Sequence, residues 1–300
     1  MCFESTLSNK TNIPFWVFLS LLWGQFFLAL YPSWADGTYY DYGFLVPPLL
    51  VYFFFVRWKS LKTKSAPGIE DQDSHPLTAL QISIAVIAIF LLLALRLIET
   101  IDSGWRLPLY LHGFIVLAVS TVLLASRTGR KGITHFSPVA LLAFFAVPLP
   151  SSVEVILIQR LTDSVTDTAV FANQWMGYPV VASGQTLLVN SIPLHVSEGC
   201  SGIRSFQGSI FAGFVAGEFF LLPVVHRIVL IASGLIIAFV ANTTRVVYLV
   251  RHAALKGDDS LEAIHDVSGY VSLTATLLLL VGIAWWFSTM NSRETGNPLL

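Results

Sequence analysis

Three separated blocks of this 300-residue chain carry a thiol, a guanidinium and an imidazole: Glu198-Gly199-Cys200-Ser201-Gly202-Ile203-Arg204-Ser205, Asn242-Thr243-Thr244-Arg245 and His265-Asp266. A thiolate can attack an acyl carbon, an imidazole can move the proton, and an arginine fork can hold the oxyanion of a tetrahedral intermediate. One of each at the same membrane depth is what acyl transfer from a peptide needs. A helix starting near Ser201 would aim backbone amides at Cys200, and with the charge of Arg204 these favour the thiolate. Gly199 and Gly202 would let a substrate backbone come close. Glu198 is placed to cap that helix or to hold Arg204, Asn242 precedes Arg245 by one helical turn and can orient it, and Asp266 adjoins His265.

Each residue taken alone also has a plain structural reading. Cys200 serves as a small apolar residue at a helix start, Arg245 as a cation snorkelling to an interface, and His265 as a polar cap at a membrane surface. His195 and His252 are rival bases, and His195 is the nearer to Cys200 in sequence. Ser201 is a weaker nucleophile because it needs a closer base. Arg96 and Glu218 lie inside apolar runs and read as structural charges, paired or snorkelling. The chain has no His-Glu-x-x-His sequence and no cysteine cluster, so no metal or other cofactor is expected.

The elements that must position these groups are membrane helices. The chain is 55% hydrophobic and 12% charged, against about 25% charged in a soluble domain, and its mean hydropathy is +0.71. The expected fold is an all-α polytopic membrane protein, one integral domain over 1–300, with about eight transmembrane helices near 14–31, 44–56, 78–97, 107–125, 138–150, 206–222, 228–249 and 269–290. The segments 44–56 and 138–150 are short and carry Pro47, Pro48, Pro148 and Pro150, so either can be tilted, extended or re-entrant, and six or seven spans remain open. The first run, though preceded by Lys10, reads as a retained helix rather than a cleaved leader.

Basic residues set the orientation. Lys10, then Arg57, Lys59, Lys62 and Lys64, then Arg127, Arg130 and Lys131, then Arg227 and Arg293 fall in every second loop. The positive-inside rule places both termini in the cytoplasm, with 57–77 as a cytoplasmic linker. Segment 151–204 and the loop 250–267 then face outward, bringing Cys200, Arg245 and His265 to the outer side, with 205–290 as the catalytic helices. The only other cysteine, Cys2, is expected on the opposite side, so Cys200 is expected not to pair within the chain. Within 151–204, apolar Val153, Leu157, Ile158, Leu161, Val165, Ala169 and Ala172 recur at helical spacing and predict an amphipathic helix on the outer leaflet or on the bundle. The β-branched stretch 178–196 predicts a possible β-hairpin turning at Ala182-Ser183-Gly184. The formal net charge of −1 implies lipid, and not nucleic acid, as the surrounding partner.

These blocks, a Glu-x-Cys-Ser-Gly-x-Arg sequence, an Asn-x-x-Arg sequence at a helix end and a histidine before the final helix, resemble the exosortase and archaeosortase family of membrane-embedded cysteine transpeptidases. The resemblance covers the chain in detail from about Leu141 onward, including Pro148-Leu149-Pro150; the N-terminal third matches only as a run of hydrophobic helices. It implies a cysteine protease of a prokaryotic inner membrane with Cys200 as nucleophile, His265 as the proton-transfer group and Arg245 as the transition-state stabiliser. The implied partners are exported proteins ending in a short motif, often Pro-Glu-Pro-like, then a membrane helix and a basic tail; the implied acceptor is water or an amine. No extra C-terminal domain is expected after the last helix. A transporter, which predicts polar residues at mid-membrane and an internal repeat, and a non-catalytic scaffold of an envelope polysaccharide system are the competing readings.

Overall fold

Backbone in a long apolar run has no water to bond with and closes on itself as helix. The computed structural model describes residues 13–37, 39–64, 79–102, 104–189, 192–196, 198–256 and 261–295, and among them helix dominates. The helices are α1 (Ile13–Ala35), α2 (Val46–Lys64), α3 (Ala79–Ile101), α4 (Leu107–Phe144), α5 (Ser151–Trp175), α6 (Ile203–Phe219), α7 (Val224–Lys256) and α8 (Leu261–Thr295). Among the described residues, five stretches are long and apolar enough to cross a membrane: Phe15–Ala35, Asp41–Leu61, Leu107–Ser126, Val224–Leu255 and Ala263–Asn291. The protein is an all-α multi-pass membrane protein with a small β insertion. Its chain divides into two compact units, Met1–Pro150 and Ser151–Leu300.

In the first unit, the expected segments 107–125 and 138–150 are joined in α4, which bends at Gly129 (φ 65°, ψ −172°). Helix stops at Phe144, so the expected fifth span is an apolar helix over Gly132–Phe144 followed by non-helical chain up to Pro150. That chain is tied down by side chains. Trp34 Nε1 donates to the Ala146 carbonyl at 2.8 Å, Tyr40 Oη accepts from Leu149 N–H at 2.9 Å, and Arg106 donates to the Leu149 carbonyl at 2.6 Å. Arg96 pairs with Glu99 at 2.9 Å, and the other oxygen of Glu99 meets buried His112 at 2.9 Å. The linker 57–77 begins as helix, since α2 continues to Lys64; positions 65–77 lie outside the described residues.

The second unit packs α7 against α5, α6 and α8. The buried face of α5 is Glu154, Ile158, Thr162, Val165, Thr166, Ala169 and Asn173. This differs from the expected apolar stripe: Val153 is 49% exposed, and small or hydrogen-bonding side chains take its place. Ala and Thr permit close helix approach, and Thr162 satisfies its hydroxyl on the Ile158 carbonyl at 2.8 Å. Gly177, at φ 86°, closes the helix.

The stretch 178–196 forms three strands: β1 (Val180–Ser183), β2 (Thr186–Val189) and β3 (Ile192–His195), antiparallel in that order. The expected hairpin is present as β1–β2, closed by Ser183 opposite Thr186 with Gly184 at φ 59° in the turn. The third strand was hidden by Pro193, which a sheet accepts at its edge. Val180, Leu187, Val189 and Val196 then share one apolar core with Val165 and Ala169 of α5, Val246, Leu249 and Val250 of α7, and Cys200.

The expected loop 250–267 is mostly helical, because α7 runs on to Lys256 and α8 begins at Leu261. At the other end of the unit Glu218, 2% exposed, pairs with Arg227 at 2.5 Å, while Arg227 Nε also donates to the Leu222 carbonyl at 2.7 Å. This pair closes the turn between α6 and α7 and accounts for a charge inside an apolar run.

Candidate active site

Cys200 ends a single 3-10 turn, Glu198–Cys200, and is 6% exposed. The helix expected from about Ser201 starts later, at Ile203, because Gly202 takes the left-handed conformation (φ 81°) and breaks the helix backward. The first free amide of α6 is met locally: Ser201 Oγ accepts from Ile203 N–H at 3.2 Å. Ser201 is thus a buried cap, 1% exposed, and takes the amide that the sequence assigned to the thiolate.

A side chain on Gly202 has no room. A Cβ there would lie 2.7 Å from Nδ2 and 2.8 Å from Cγ of Asn242. That close approach lets Asn242 donate through Nδ2 to the Cys200 carbonyl at 2.8 Å, fixing the Cys200 backbone to α7. One turn on, Arg245 reaches over the same loop. Its Nη1 donates to the Gly199 carbonyl at 3.2 Å and lies 3.5 Å from Asn242 Oδ1.

His265 stands in the opening turns of α8, not in a loop before it, and a helix can hold a ring in one rotamer. Its Nε2 is 3.1 Å from Cys200 Sγ and 2.8 Å from Arg245 Nη2. Its Nδ1 is 3.1 Å from Asp266 Oδ1, so Nδ1–H donates to the carboxylate and Nε2 keeps the lone pair. Arg245 Nη2 also donates to the His265 carbonyl at 3.3 Å, and Ser268 Oγ to the same carbonyl at 3.0 Å. Gly269 lies beside the guanidinium: a Cβ there would be 3.4 Å from Nη2. Arg245 Nε is buried without an acceptor among the described residues.

The structure therefore brings together Cys200, Arg245, His265, Asn242 and Asp266. It places the rival histidines elsewhere: His195 Nδ1 lies 3.3 Å from Thr186 Oγ1 on the sheet, and His252 is buried beside Tyr248, ring centroids 6.3 Å apart. Arg204 is exposed on the first turn of α6, and the side chain of Glu198 lies outside the described residues. The Gly199 carbonyl, Ser268 and the Gly202–Asn242 contact were not singled out from the sequence. Of these, the two glycines flanking Cys200 were the only signal available, since glycine at a close approach leaves its mark in residue type.

A multi-pass helical membrane protein with a thiol, an imidazole and a guanidinium converging at one end of three packed helices is, as a class, a candidate intramembrane-type acyl-transfer enzyme. Its sequence matches the transmembrane exosortase family over residues 34–282, and the chain belongs to that family. Comparison with curated proteins and with solved structures gives no match. Membership assigns it a role of membrane transpeptidase type connected with protein sorting.

Proposed function

We propose that this protein is a membrane cysteine peptidase and transpeptidase that removes a C-terminal sorting signal, a short motif followed by a membrane helix and a basic tail, from exported proteins. The observation that carries this reading is the 3.1 Å approach of Cys200 Sγ to His265 Nε2, with Arg245 bonded to both the histidine and the nucleophile's loop. Membership of the exosortase family supports the same reaction class.

In the first half-reaction the Cys200 thiol gives its proton to His265 Nε2, and sulfur attacks the carbonyl carbon of the scissile peptide bond. The oxyanion takes hydrogen bonds from the Arg245 guanidinium, which lies over the Gly199 carbonyl beside Cys200. His265 returns the proton to the leaving nitrogen, the C–N bond breaks, and the membrane tail departs, leaving a thioester. In the second half-reaction water or an amine gives its proton to His265, attacks the thioester, and restores the thiol. Asp266 holds the imidazole in the tautomer that both halves need. We place this chemistry on the extracytoplasmic face with both termini in the cytoplasm, in keeping with the basic residues in alternate loops.

The test is a comparison of exported proteins, by intact mass and C-terminal peptide analysis, in host cells carrying wild-type protein or Cys200→Ala. Proteins with a motif, helix and basic tail keep that tail only in the variant, and the wild-type cut site names the motif. An unchanged set, at equal levels of both proteins in the membrane, overturns the catalytic reading and leaves a transporter or non-catalytic scaffold.

A further inference from the structure

We infer that the free edge of β3 is the docking strand for the substrate segment just ahead of the scissile bond, and that it reads main chain rather than side chains. The inference rests on the peptidase reading above and names how its polypeptide substrate is held.

The ladder fixes which backbone groups are free. Val196 N–H donates to the Gln185 carbonyl at 2.8 Å, and in the β2–β3 register Gln185 faces Val196, Thr186 faces His195, and Leu188 faces Pro193. Bonded and non-bonded pairs alternate in an antiparallel ladder. Leu194 and Val196 therefore spend their amides on β2, whereas the His195 N–H and carbonyl and the Pro193 carbonyl point away from the sheet. No described residue takes them, and both side chains are exposed. At the opposite edge Gln174 Nε2 from α5 donates to the Val180 carbonyl at 2.9 Å, and β1 packs on α5.

The open edge lies just before Cys200 in the chain. Five Cα-to-Cα steps separate His195 from Cys200, so their Cα atoms are at most about 18 Å apart, the length of a strand of five or six residues. A substrate running parallel to β3, toward Cys200, satisfies the free groups without strain. One substrate residue accepts from His195 N–H and donates to the Pro193 carbonyl; the residue two further on donates to the His195 carbonyl. Pro193 has no N–H to offer, so pairing ends after about three residues. Such main-chain pairing is the ordinary way an extended peptide is taken by a sheet edge. A lone edge proline also discourages indiscriminate strand addition, which suits an edge meant for a short guest.

The experiment separates main chain from side chain. His195→Pro removes the outward N–H, which the fold does not use, and puts ring atoms where the substrate carbonyl sits; His195→Ala keeps the N–H. Measured as clearance of tail-bearing exported proteins in host cells, His195→Pro is expected to slow processing by about tenfold or more, and His195→Ala to stay within about twofold of wild type. The rate at which a small alkylating reagent modifies Cys200 is expected to be the same in both, showing an intact site. Wild-type clearance by His195→Pro overturns the proposal, as does an equal loss in His195→Ala, which would place the function in the imidazole. Should His195→Pro fail to accumulate, a photo-crosslinking residue at position 195 in the Cys200→Ala background decides: it is expected to capture tail-bearing proteins, while the same residue at Ala182 on the β1 edge does not, and the reverse pattern overturns the proposal. If Cys200→Ala cells hold no tail-bearing proteins at all, the peptidase reading itself has failed, whatever the His195 variants do.

Discussion

His265 Nε2 has one lone pair and two neighbours able to donate to it, Cys200 Sγ at 3.1 Å and Arg245 Nη2 at 2.8 Å. In this arrangement the shorter, charge-assisted bond belongs to Arg245. The thiol therefore competes for its base, and an incoming carbonyl oxygen that draws the guanidinium away would release it. This gives opposite expectations for two variants. Arg245→Gln is expected to raise the alkylation rate of Cys200 by about threefold or more while abolishing tail removal, and His265→Ala to lower both. A fall in alkylation in Arg245→Gln would mean that the guanidinium serves chiefly to hold the thiolate. In sequence His195 and His252 are rival bases expected on the same side, and His195 is the nearer to Cys200. What separates the three histidines is the element that carries each ring, strand β3, helix α7 or helix α8, a property that sequence distance does not measure.

At the scale of elements, the site depends on two helices approaching a loop at van der Waals distance. Gly202 is the tightest point, with left-handed backbone and a missing Cβ that would lie 2.7 Å from Asn242 Nδ2. An L-residue there carries about 1–2 kcal/mol of backbone strain and must also push Asn242 off the Cys200 carbonyl. Gly202→Ala is expected to cut tail removal by about tenfold or more. Gly208, five residues before Gly213 on α6 and with nothing within 4 Å of a built Cβ, is the matched control. Gly208→Ala is expected to leave processing unchanged and to raise the melting temperature in detergent, as a helix-interior glycine does when replaced. Equal effects of the two substitutions would show that the Gly202–Asn242 contact has no part in the site. The sequence marked Gly202 as special but for another reason, substrate approach; its contact with Asn242, forty residues away, comes from the packing of α6 on α7.

For the whole molecule, the basic residues in alternate loops and the sheet of the second unit make a topological statement that can be measured. Ser183 is exposed at the β1–β2 turn. With Ser183→Cys in a Cys2→Ala, Cys200→Ala background, a membrane-impermeant maleimide added to intact spheroplasts is expected to label position 183. A fluorescent protein fused after Leu300 is expected to mature, as it does only on the cytoplasmic side. Labelling of position 183 only after membrane disruption would invert the orientation and, with it, the side on which substrates are met.

The sequence by itself determined the solvent and the chemistry. Run length and charge scarcity require helices in lipid, and residue types at three blocks supply a thiol, an imidazole and a guanidinium, because both properties are local and additive along the chain. It also marked the turn at Gly184, where a positive φ demands a particular residue type. Tertiary structure decided what depends on neighbours distant in sequence. Thr162 and Thr166 of α5 turn inward because α7 packs there; the loop expected at 250–267 is helix to Lys256 and again from Leu261, so His265 is aimed from a rigid element; and Pro193 sits in a strand because its nitrogen, which has no hydrogen to donate, faces away from β2. Which of three histidines meets Cys200 was decided by the packing of α8 against α7, since sixty-five residues of chain separate the two groups and only contact between helices closes that distance to 3.1 Å.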